Sequence, residues 1–527
     1  MYLRTNCTGT LSTAAISGLV ALLLFLFAGC ASLPTDYPRE PSYAWDRPEE
    51  TRLGRALAPA AELHPGLSGF RLLENGMDAF VARMALANAA ERTLDLQYYI
   101  VHNDFTGKLI IESLIQAAER GVRVRILIDD TAVKGRDAAV AALASCPGIQ
   151  VRVFNPAPGR SAASWLFSAA ADFDRVNRRM HNKMFVADNQ VGIVGGRNIG
   201  DEYFAARESV NFADVDLFAA GPVVQELSRI FDEYWNSRWA FPIEALHEKV
   251  DASFAQQARK DLASHAAAAR DSDYARRVRD SDLLKKLLDR NLPLVWAPAA
   301  AVSDSPEKAA GAEQAQGVPN LTSMLRPMAE AARSEIVISS PYFIPGAEGV
   351  RFFDQLRKKG VHIRIITNSF AGNDVAVVHA GYARYRKDLL TVGVELYELK
   401  PLAAAADQDR KQFGSSGASL HAKVIVIDRE HLFVGSLNLD NRSVNLNTEL
   451  GIIVESRDLA EALVRQFEEL ILPQYSYRLA LDPSGRDLIW IGEDKGSEVR
   501  YTRDPEVGLW RRFSTWVQSI FAPEYLL

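Results

Sequence analysis

Apolar and polar positions along the chain follow two periods, and the order in which they do so occurs twice. Over residues 77–90 apolar residues recur at helical spacing; from Thr93 the period drops to two, placing Leu94, Leu96, Tyr98 and Ile100 on one strand face. A helix over 108–120 and a buried strand over 122–128, ending at Asp129-Asp130, are predicted next. In the second half, residues 329–332 and 336–344 answer the first helix end and strand. Lys359-Gly360-Val361-His362-Ile363-Arg364-Ile365 answers Arg120-Gly121-Val122-Arg123-Val124-Arg125-Ile126, and 393–397 answers 148–152. The offsets all lie between 239 and 245 residues, so whole domains are duplicated. Strands alternating with helices across short crossovers predict an α/β fold, a sheet with helices on both faces in each copy.

The flanking and joining segments have other patterns. Residues 1–30 begin with Arg4, carry no charge from Leu11 to Ala28 and end Phe27-Ala28-Gly29-Cys30, the pattern of a secretory signal. Residues 31–67 are rich in proline (Pro34, Pro38, Pro41, Pro48, Pro59) and predict an extended tether. A first domain over 68–245 is then followed by a charged, alanine-rich helical connector over 246–290 and a second domain over 291–480; residues 309–317 predict an exposed loop. In the tail, 481–527, Val507, Trp510, Phe513, Val517 and Ile520 are spaced by three or four. That amphipathic helix either packs on the core or lies in a bilayer interface.

Composition narrows the class. The 527 residues are 48% hydrophobic and 24% charged, ordinary for a soluble globular chain, and the formal net charge of −6 gives no reason to expect nucleic acid as a partner. Three cysteines make no disulfide framework: Cys7 falls in the signal, Cys30 at its end, and Cys146 before Pro147-Gly148 reads as a structural thiol.

The chemistry lies in two stretches of identical spacing, H-x-K-x4-D-x6-G-[GS]-x-N. One holds His181, Lys183, Asp188 and Asn198; the other holds His421, Lys423, Asp428 and Asn438, with 240 residues between the histidines. On a strand, residues two apart share a face, so each histidine points with its lysine. Asp188 and Asp428 have the opposite parity and precede polar turns, which predicts that they hold the hairpins. A phosphodiester resists attack because its oxygens are negative, so a catalyst needs cations around them, a nucleophile and a leaving-group acid. Two imidazoles and two ammonium groups supply that set. One neutral imidazole attacks phosphorus and the other, protonated, serves the departing oxygen. Lys183, Lys423, Asn198 and Asn438 are placed on the non-bridging oxygens, with no need for a metal or other cofactor. No other His, Cys and carboxylate spacing makes a metal site.

These paired motifs resemble those of the phospholipase D superfamily, whose two histidine–lysine–aspartate motifs meet across a pseudo-twofold axis. The resemblance implies two tandem phospholipase D-like domains sharing one active site, with all six motif residues in the catalytic set. It also implies that Asp214 and Glu449, in the strand after each motif, orient the histidines, and that His181 is the nucleophile and His421 the acid. The stretches around Arg178, Gly195–Asp201, Asn373–Tyr382 and Ser416–His421 are similar to bacterial cardiolipin synthases of the C type. That branch implies phosphatidyl transfer between phospholipids such as phosphatidylglycerol, with phosphatidylethanolamine as a further substrate, at a membrane surface. Hydrolysis to phosphatidic acid is the nearest alternative, and an exported nuclease the more distant one. Ala-Gly-Cys resembles a bacterial lipobox, which implies lipidation at Cys30 and a periplasm-facing anchor. Ala31 after the cysteine points to the outer membrane over the inner by the sorting rule of diderm lipoproteins. For the acceptor lipid, Asn373, Asp374 and His379 offer polar groups; the alternative is a capped helix start. The apolar segment 163–167, with Trp165 and Phe167, either dips into a bilayer or is a buried loop.

Overall fold

The alternation from Thr93 becomes the strand Thr93–Tyr98, and its counterpart becomes Glu335–Ser339; each sits near the middle of a sheet. The computed structural model describes residues 33–34, 37–158, 160, 173–207, 211–247, 250–288, 292–311, 320–401 and 418–521. Cys30 and the segment 163–167 lie outside them. In the first half, Thr93–Tyr98 pairs in parallel with Arg123–Asp129, and that strand with Ile149–Phe154. On its other side it pairs antiparallel with the first-motif strand Met184–Ala187, which turns into Val191–Gly195 and then Asp216–Ala220. The second half repeats this: Glu335–Ser339 pairs in parallel with His362–Asn368 and antiparallel with Val424–Ile427, which turns into His431–Gly435 and Leu450–Glu455. Val424–Ile427 is wholly β-branched, a composition suited to a pleated, buried ladder.

Helices cover the outer faces. Gly76–Ala89 and Phe105–Glu119 start at side-chain caps, Asn75 accepting from the Met77 N–H and Asp104 from the Gly107 N–H. The predicted connector is helical, as Ala252–Ala269, Asp273–Asp280 and Asp282–Leu288, and its Tyr274 and Leu283 are buried in the first half's core. The inner faces meet in a shared core to which Met180, Val194 and Trp235 come from the first half, and Val424, Val434 and Phe467 from the second. At roughly 1.5–3 kcal/mol for each large apolar side chain buried, this seam is a major part of what holds the halves together. Strand Asn211–Ala213 also pairs in parallel with Ala418–Leu420, one ladder crossing the pseudo-twofold.

Three predicted boundaries are corrected. The tether is folded from Glu40 onward: Thr51 caps a helix, Arg52–Leu63, and the extended stretch before it lies on the first domain. Arg125 donates to Ser42 O at 2.7 Å, Arg152 to Glu40 O at 2.8 Å, and the Ala44 N–H to Asp232 at 2.8 Å. Arg125 and Arg152 are buried, and the proline-rich backbone adds acceptors to those they have in Asp95, Asp232 and Trp235 O. The domain boundary falls at Pro298, because Val295–Ala297 joins the first sheet and Ala299–Ser303 the second. The second sheet also runs past 480, through Leu488–Asp494 and Ser497–Tyr501. Of the predicted loop at 309–317, Ala309 instead belongs to the turn Pro306–Ala310 and is buried at the seam. Cys146 is half-buried and unpaired, and burial raises its thiol pKa.

Candidate active site

Both motif histidines sit just before their strands, at the seam, and each is pinned by backbone bonds to the opposite half. The His181 N–H donates to Thr448 O at 2.9 Å, and the His421 N–H to Ala213 O at 2.8 Å. The same crossing recurs in the side chains. His181 Nδ1 lies 2.9 and 3.0 Å from the two carboxylate oxygens of Glu449, and His421 Nδ1 lies 2.6 Å from Asp214 Oδ2. Each orienting acid thus serves the histidine of the other half, and neither half is complete alone. Asp216, a second carboxylate two residues beyond Asp214, is taken by Arg83 at 2.9 Å and Arg197 at 3.5 Å.

The lysines, like the histidines, precede the strands Met184–Ala187 and Val424–Ile427, and each turns back onto its own motif's backbone. Lys183 Nζ donates to His181 O at 2.5 Å and Lys423 Nζ to His421 O at 2.6 Å. All four side chains are buried. Burial, with the charges of Lys183 and Lys423 adding to it, lowers His181 to about 4, although Glu449 pulls the other way. Burial and Lys423 likewise lower His421. Burial brings Lys183 down to about 7 and Lys423 to about 8. For Asp214, burial alone would raise the pKa, but the His421 ring and nearby cations outweigh it and hold the carboxyl at about 2. The same balance against His181 leaves Glu449 ionised. Each imidazole can therefore donate Nδ1–H to its carboxylate, which leaves Nε2 to act as nucleophile or base when neutral and as acid when protonated.

Asp188 and Asp428 are away from the rings and hold backbone. Asp188 accepts from the N–H groups of Glu91, Arg92 and Thr93 at 2.7–2.9 Å, and Asp428 from those of Arg333, Ser334 and Glu335 at 2.7–3.0 Å. Both take positive φ, 53° and 54°, at the hairpin turn. Their place in the catalytic set is corrected to a structural one: they lock the motif hairpin to the start of the central strand. Asn198 also works within the protein, accepting from the Ile100 N–H at 3.2 Å and donating to Tyr203 Oη at 3.0 Å. The Oδ1 of Asn438, by contrast, is buried with no hydrogen-bond partner.

His379 is corrected outright. It is buried, its ring stacks on Phe370 at 4.8 Å, Arg386 donates to its Nε2 at 2.6 Å and Asp504 of the C-terminal segment lies 3.4 Å from the same nitrogen, so the ring is packed inside the fold, with Nδ1 buried and, among the described residues, without a hydrogen-bond partner. Asn373 is buried and accepts from the Val375 N–H at 2.8 Å, a local turn just before Ala376–Ala383, whose own start has no side-chain cap. Asp374 is exposed; both its oxygens accept from Tyr342 Oη, at 2.8 and 2.9 Å, and its charge is felt by Lys423.

Several supporting residues carry no sequence signal of their own. Tyr99 stands edge-on to His181 at 5.1 Å, while Tyr203 and Phe212 flank His421 at 5.3 and 5.1 Å. Asp304 accepts from the Glu449 N–H at 2.9 Å and pairs with Lys308 at 2.9 Å, so the strap between the sheets braces the second orienting acid. The one legible cue was the G-[GS] variation: Ser436 Oγ donates to Glu449 Oε2 at 2.5 Å, where the first copy has Gly196. Among the described residues no group of three or more His, Cys, Asp or Glu could hold a metal ion.

A duplicated α/β fold whose seam brings together two histidine–lysine pairs, each ring set by a carboxylate, is the architecture of a phospholipase D-type phosphodiester-transfer site. The family model described as "Cardiolipin synthase, PLD-like domain" matches residues 84–235 and 325–471. Cardiolipin synthase C of Escherichia coli (strain K12) is 42% identical over 480 residues, covering 90% of this chain and 100% of that protein. Cardiolipin synthase A of Pseudomonas putida is 26% identical over 408 residues, 76% of this chain and 68% of that one. The crystal structure of phosphatidylserine synthase from Haemophilus influenzae Rd KW20 shares the fold, with a TM-score of 0.52 at 13% identity over 81% of this chain and 92% of that one. This chain belongs to the cardiolipin synthase family of phospholipase D-like enzymes.

Proposed function

We propose that this protein is a phosphatidyltransferase that joins two phospholipids into a cardiolipin-type product through a phosphohistidine. The observation that carries the reading is the crossed pairing, His181 with Glu449 and His421 with Asp214, which makes one two-histidine site from two halves. In the first step His181 Nε2 attacks phosphorus with its lone pair. The bond to the departing head-group alcohol breaks, and His421, entering the step protonated at Nε2, gives that oxygen its proton. In the second step the hydroxyl of a second lipid attacks phosphorus, His421 takes its proton, and the P–N bond returns its electrons to His181. Lys183 and Lys423 neutralise the non-bridging oxygens. We assign the Nδ2–H group of Asn438 to the same oxygens, while Asn198 supports the first half from behind through Tyr203.

The substrates we assign are phosphatidylglycerol and, as a further one, phosphatidylethanolamine. We assign the acceptor's head-group hydroxyls to Asp374 and Tyr342, held together beside Lys423. Product analysis by thin-layer chromatography, with and without added phosphatidylglycerol, tests the reading. Cardiolipin that rises with acceptor supports transfer. Phosphatidic acid formed at the same rate whatever the acceptor makes the protein a hydrolase. Asp374→Ala should lower the ratio of cardiolipin to phosphatidic acid; an unchanged ratio removes Asp374 from the acceptor site.

The N-terminal segment completes the proposal: lipidation at Cys30 would hold the protein on the periplasmic side, at the outer membrane. Cys30→Ser should abolish labelling by a fatty-acid probe. Processing and membrane fractionation unchanged by both this substitution and globomycin would rule lipidation out.

A further inference from the structure

The helix Leu509–Phe521 is turned the wrong way for a helix that faces water. Its polar side meets the protein: Thr515 is 5% exposed, and Arg511 donates to Ala371 O at 3.3 Å and Asn373 O at 2.5 Å. Its apolar side faces out. Leu509, Trp510, Phe513 and Trp516 are 83%, 78%, 53% and 61% exposed. Trp510 and Phe513 rings lie 5.9 Å apart, and Phe513 and Trp516 6.1 Å, a continuous aromatic ridge. Single exposed apolar residues are commonplace, but a contiguous ridge marks a surface that something covers.

We propose that this ridge docks the protein on a phospholipid bilayer, with the helix lying in the head-group plane, and that it thereby sets the active-site mouth against the membrane. The inference rests on the phospholipid reading above and goes beyond it by naming the surface. Three observations select a bilayer as the occupant. Tryptophan favours the head-group level, being apolar in body and polar at one edge. The helix has no acidic residue, so no charge on it repels an anionic lipid surface, while Arg511 and Arg512 are spent on backbone carbonyls of the protein. At 13 residues it is too short to span a bilayer and long enough to lie in its surface.

Continuity with the site is the strongest support. The 371–373 backbone that Arg511 grips is also gripped from the other side by Ser419, whose Oγ donates to Gly372 O at 3.0 Å. Ser419 is two residues before His421, and Asn368 brackets Leu420 between them, accepting from its N–H at 2.8 Å and donating to its carbonyl at 2.9 Å. Asp374 follows directly. The ridge, the acceptor residues and the second histidine are therefore one connected block, so pressing the ridge onto a membrane fixes where the site opens. A second copy is the weaker occupant: a ridge about 20 Å long and one helix wide falls far short of the ~800 Å² per partner of a stable interface.

Two experiments on the full-length protein test this. In the first, Trp510→Ser/Phe513→Ser/Trp516→Ser is assayed on phosphatidylglycerol vesicles and on a short-chain phosphatidylglycerol kept monomeric. The expected result is a loss of about tenfold or more in kcat/KM on vesicles, with the monomeric substrate turned over as by the wild type. Equal loss on both substrates, or no loss on either, overturns the proposal. The second does not depend on activity and so survives failure of the transferase reading. Vesicles of phosphatidylglycerol and phosphatidylethanolamine brominated on their acyl chains should quench part of the tryptophan emission. That part should vanish in Trp510→Phe/Trp516→Phe, which keeps the ridge apolar. The same quenched fraction in both proteins overturns the proposal. So does a dimer, seen by light scattering, that the triple substitution splits without changing vesicle binding.

Discussion

The two halves place the same spaced residues around phosphorus but support them differently, and the differences sort motif residues by role. In the first half a Cβ on Gly196 would stand 2.1 Å from Asp214 Oδ1, so the short carboxylate occupies the space a side chain would need. In the second half Ser436 fills that position, and its hydroxyl holds the longer Glu449 by a hydrogen bond. Residue and acid change together. What stays constant is the imidazole–carboxylate distance near hydrogen-bonding range, which identifies the carboxylate–histidine pair, not the identity of either partner, as the functional unit. A second difference is that both oxygens of Glu449 reach His181, whereas one oxygen of Asp214 reaches His421.

The sharpest way to break the symmetry is to remove each histidine and vary the leaving group. His181→Ala should lose on the order of 10⁶-fold in kcat, as removal of a covalent nucleophile does, on every substrate. His421→Ala should lose about 10²–10⁴-fold on lipid, yet still release a burst of p-nitrophenol from a p-nitrophenyl phosphodiester, whose leaving group needs no acid. A burst from His181→Ala and none from His421→Ala would exchange the two roles.

Next in size are the orienting pairs. Asp214→Asn and Glu449→Gln should each cost about 10²–10⁴-fold in kcat by releasing the ring tautomer. Transplanting the second pair into the first is more telling. Gly196→Ser alone should be poorly folded, because the new Cβ collides with Asp214. Gly196→Ser/Asp214→Glu should recover thermal stability and part of the activity, a coupling that a double-mutant cycle measures directly. Additive losses would show that the two positions do not act as a unit.

The pH profile separates the groups more gently. His181, lowered to about 4, keeps its lone pair above that pH, so the acid limb of kcat/KM should lie near 4 for any substrate. His421 must be protonated to act as acid and is lowered from 6.5, so with a lipid substrate the alkaline limb should fall below 6.5. With the p-nitrophenyl ester that limb should move up to 7–8, where Lys183 and Lys423 lose their charge. An alkaline limb that ignores the leaving group would remove His421 from the acid role.

The smallest expected effects are on the aspartates, and they are effects on stability. Asp188 is fully buried and Asp428 partly exposed, each serving three backbone N–H groups. Asp188→Ala should therefore cost about 2–4 kcal/mol and Asp428→Ala about 1–2 kcal/mol, read as shifts in the denaturation midpoint. Both proteins should keep most of their turnover at low temperature. A well-folded but inactive Asp188→Ala would place that carboxylate in the chemistry after all.

Much of this was legible before any coordinates. A spacing of two grouped His181 with Lys183 and His421 with Lys423 and set the aspartates apart at the hairpin turns; those relations are local, held within five to seven residues, although the histidines and lysines lie just before the strands and not on them. The duplication was legible because it repeats apolar period and turn order at one constant offset. Other features depended on residues far apart in the chain. His181 meets Glu449 across 268 positions and His421 meets Asp214 across 207, and no local period says that the acids cross over. The proline-rich stretch read as a tether because it buries little of its own, yet it is ordered by arginines from strands more than 80 residues away. His379 carried the same polar signal as a site residue, and only the packing of Phe370, Arg386 and Asp504 around it shows that it is spent inside the fold. The last helix had a visible apolar stripe, but a stripe has no direction until its other face is docked. It is Arg511, bonded to the loop beside the second motif, that turns Leu509, Trp510 and Phe513 outward.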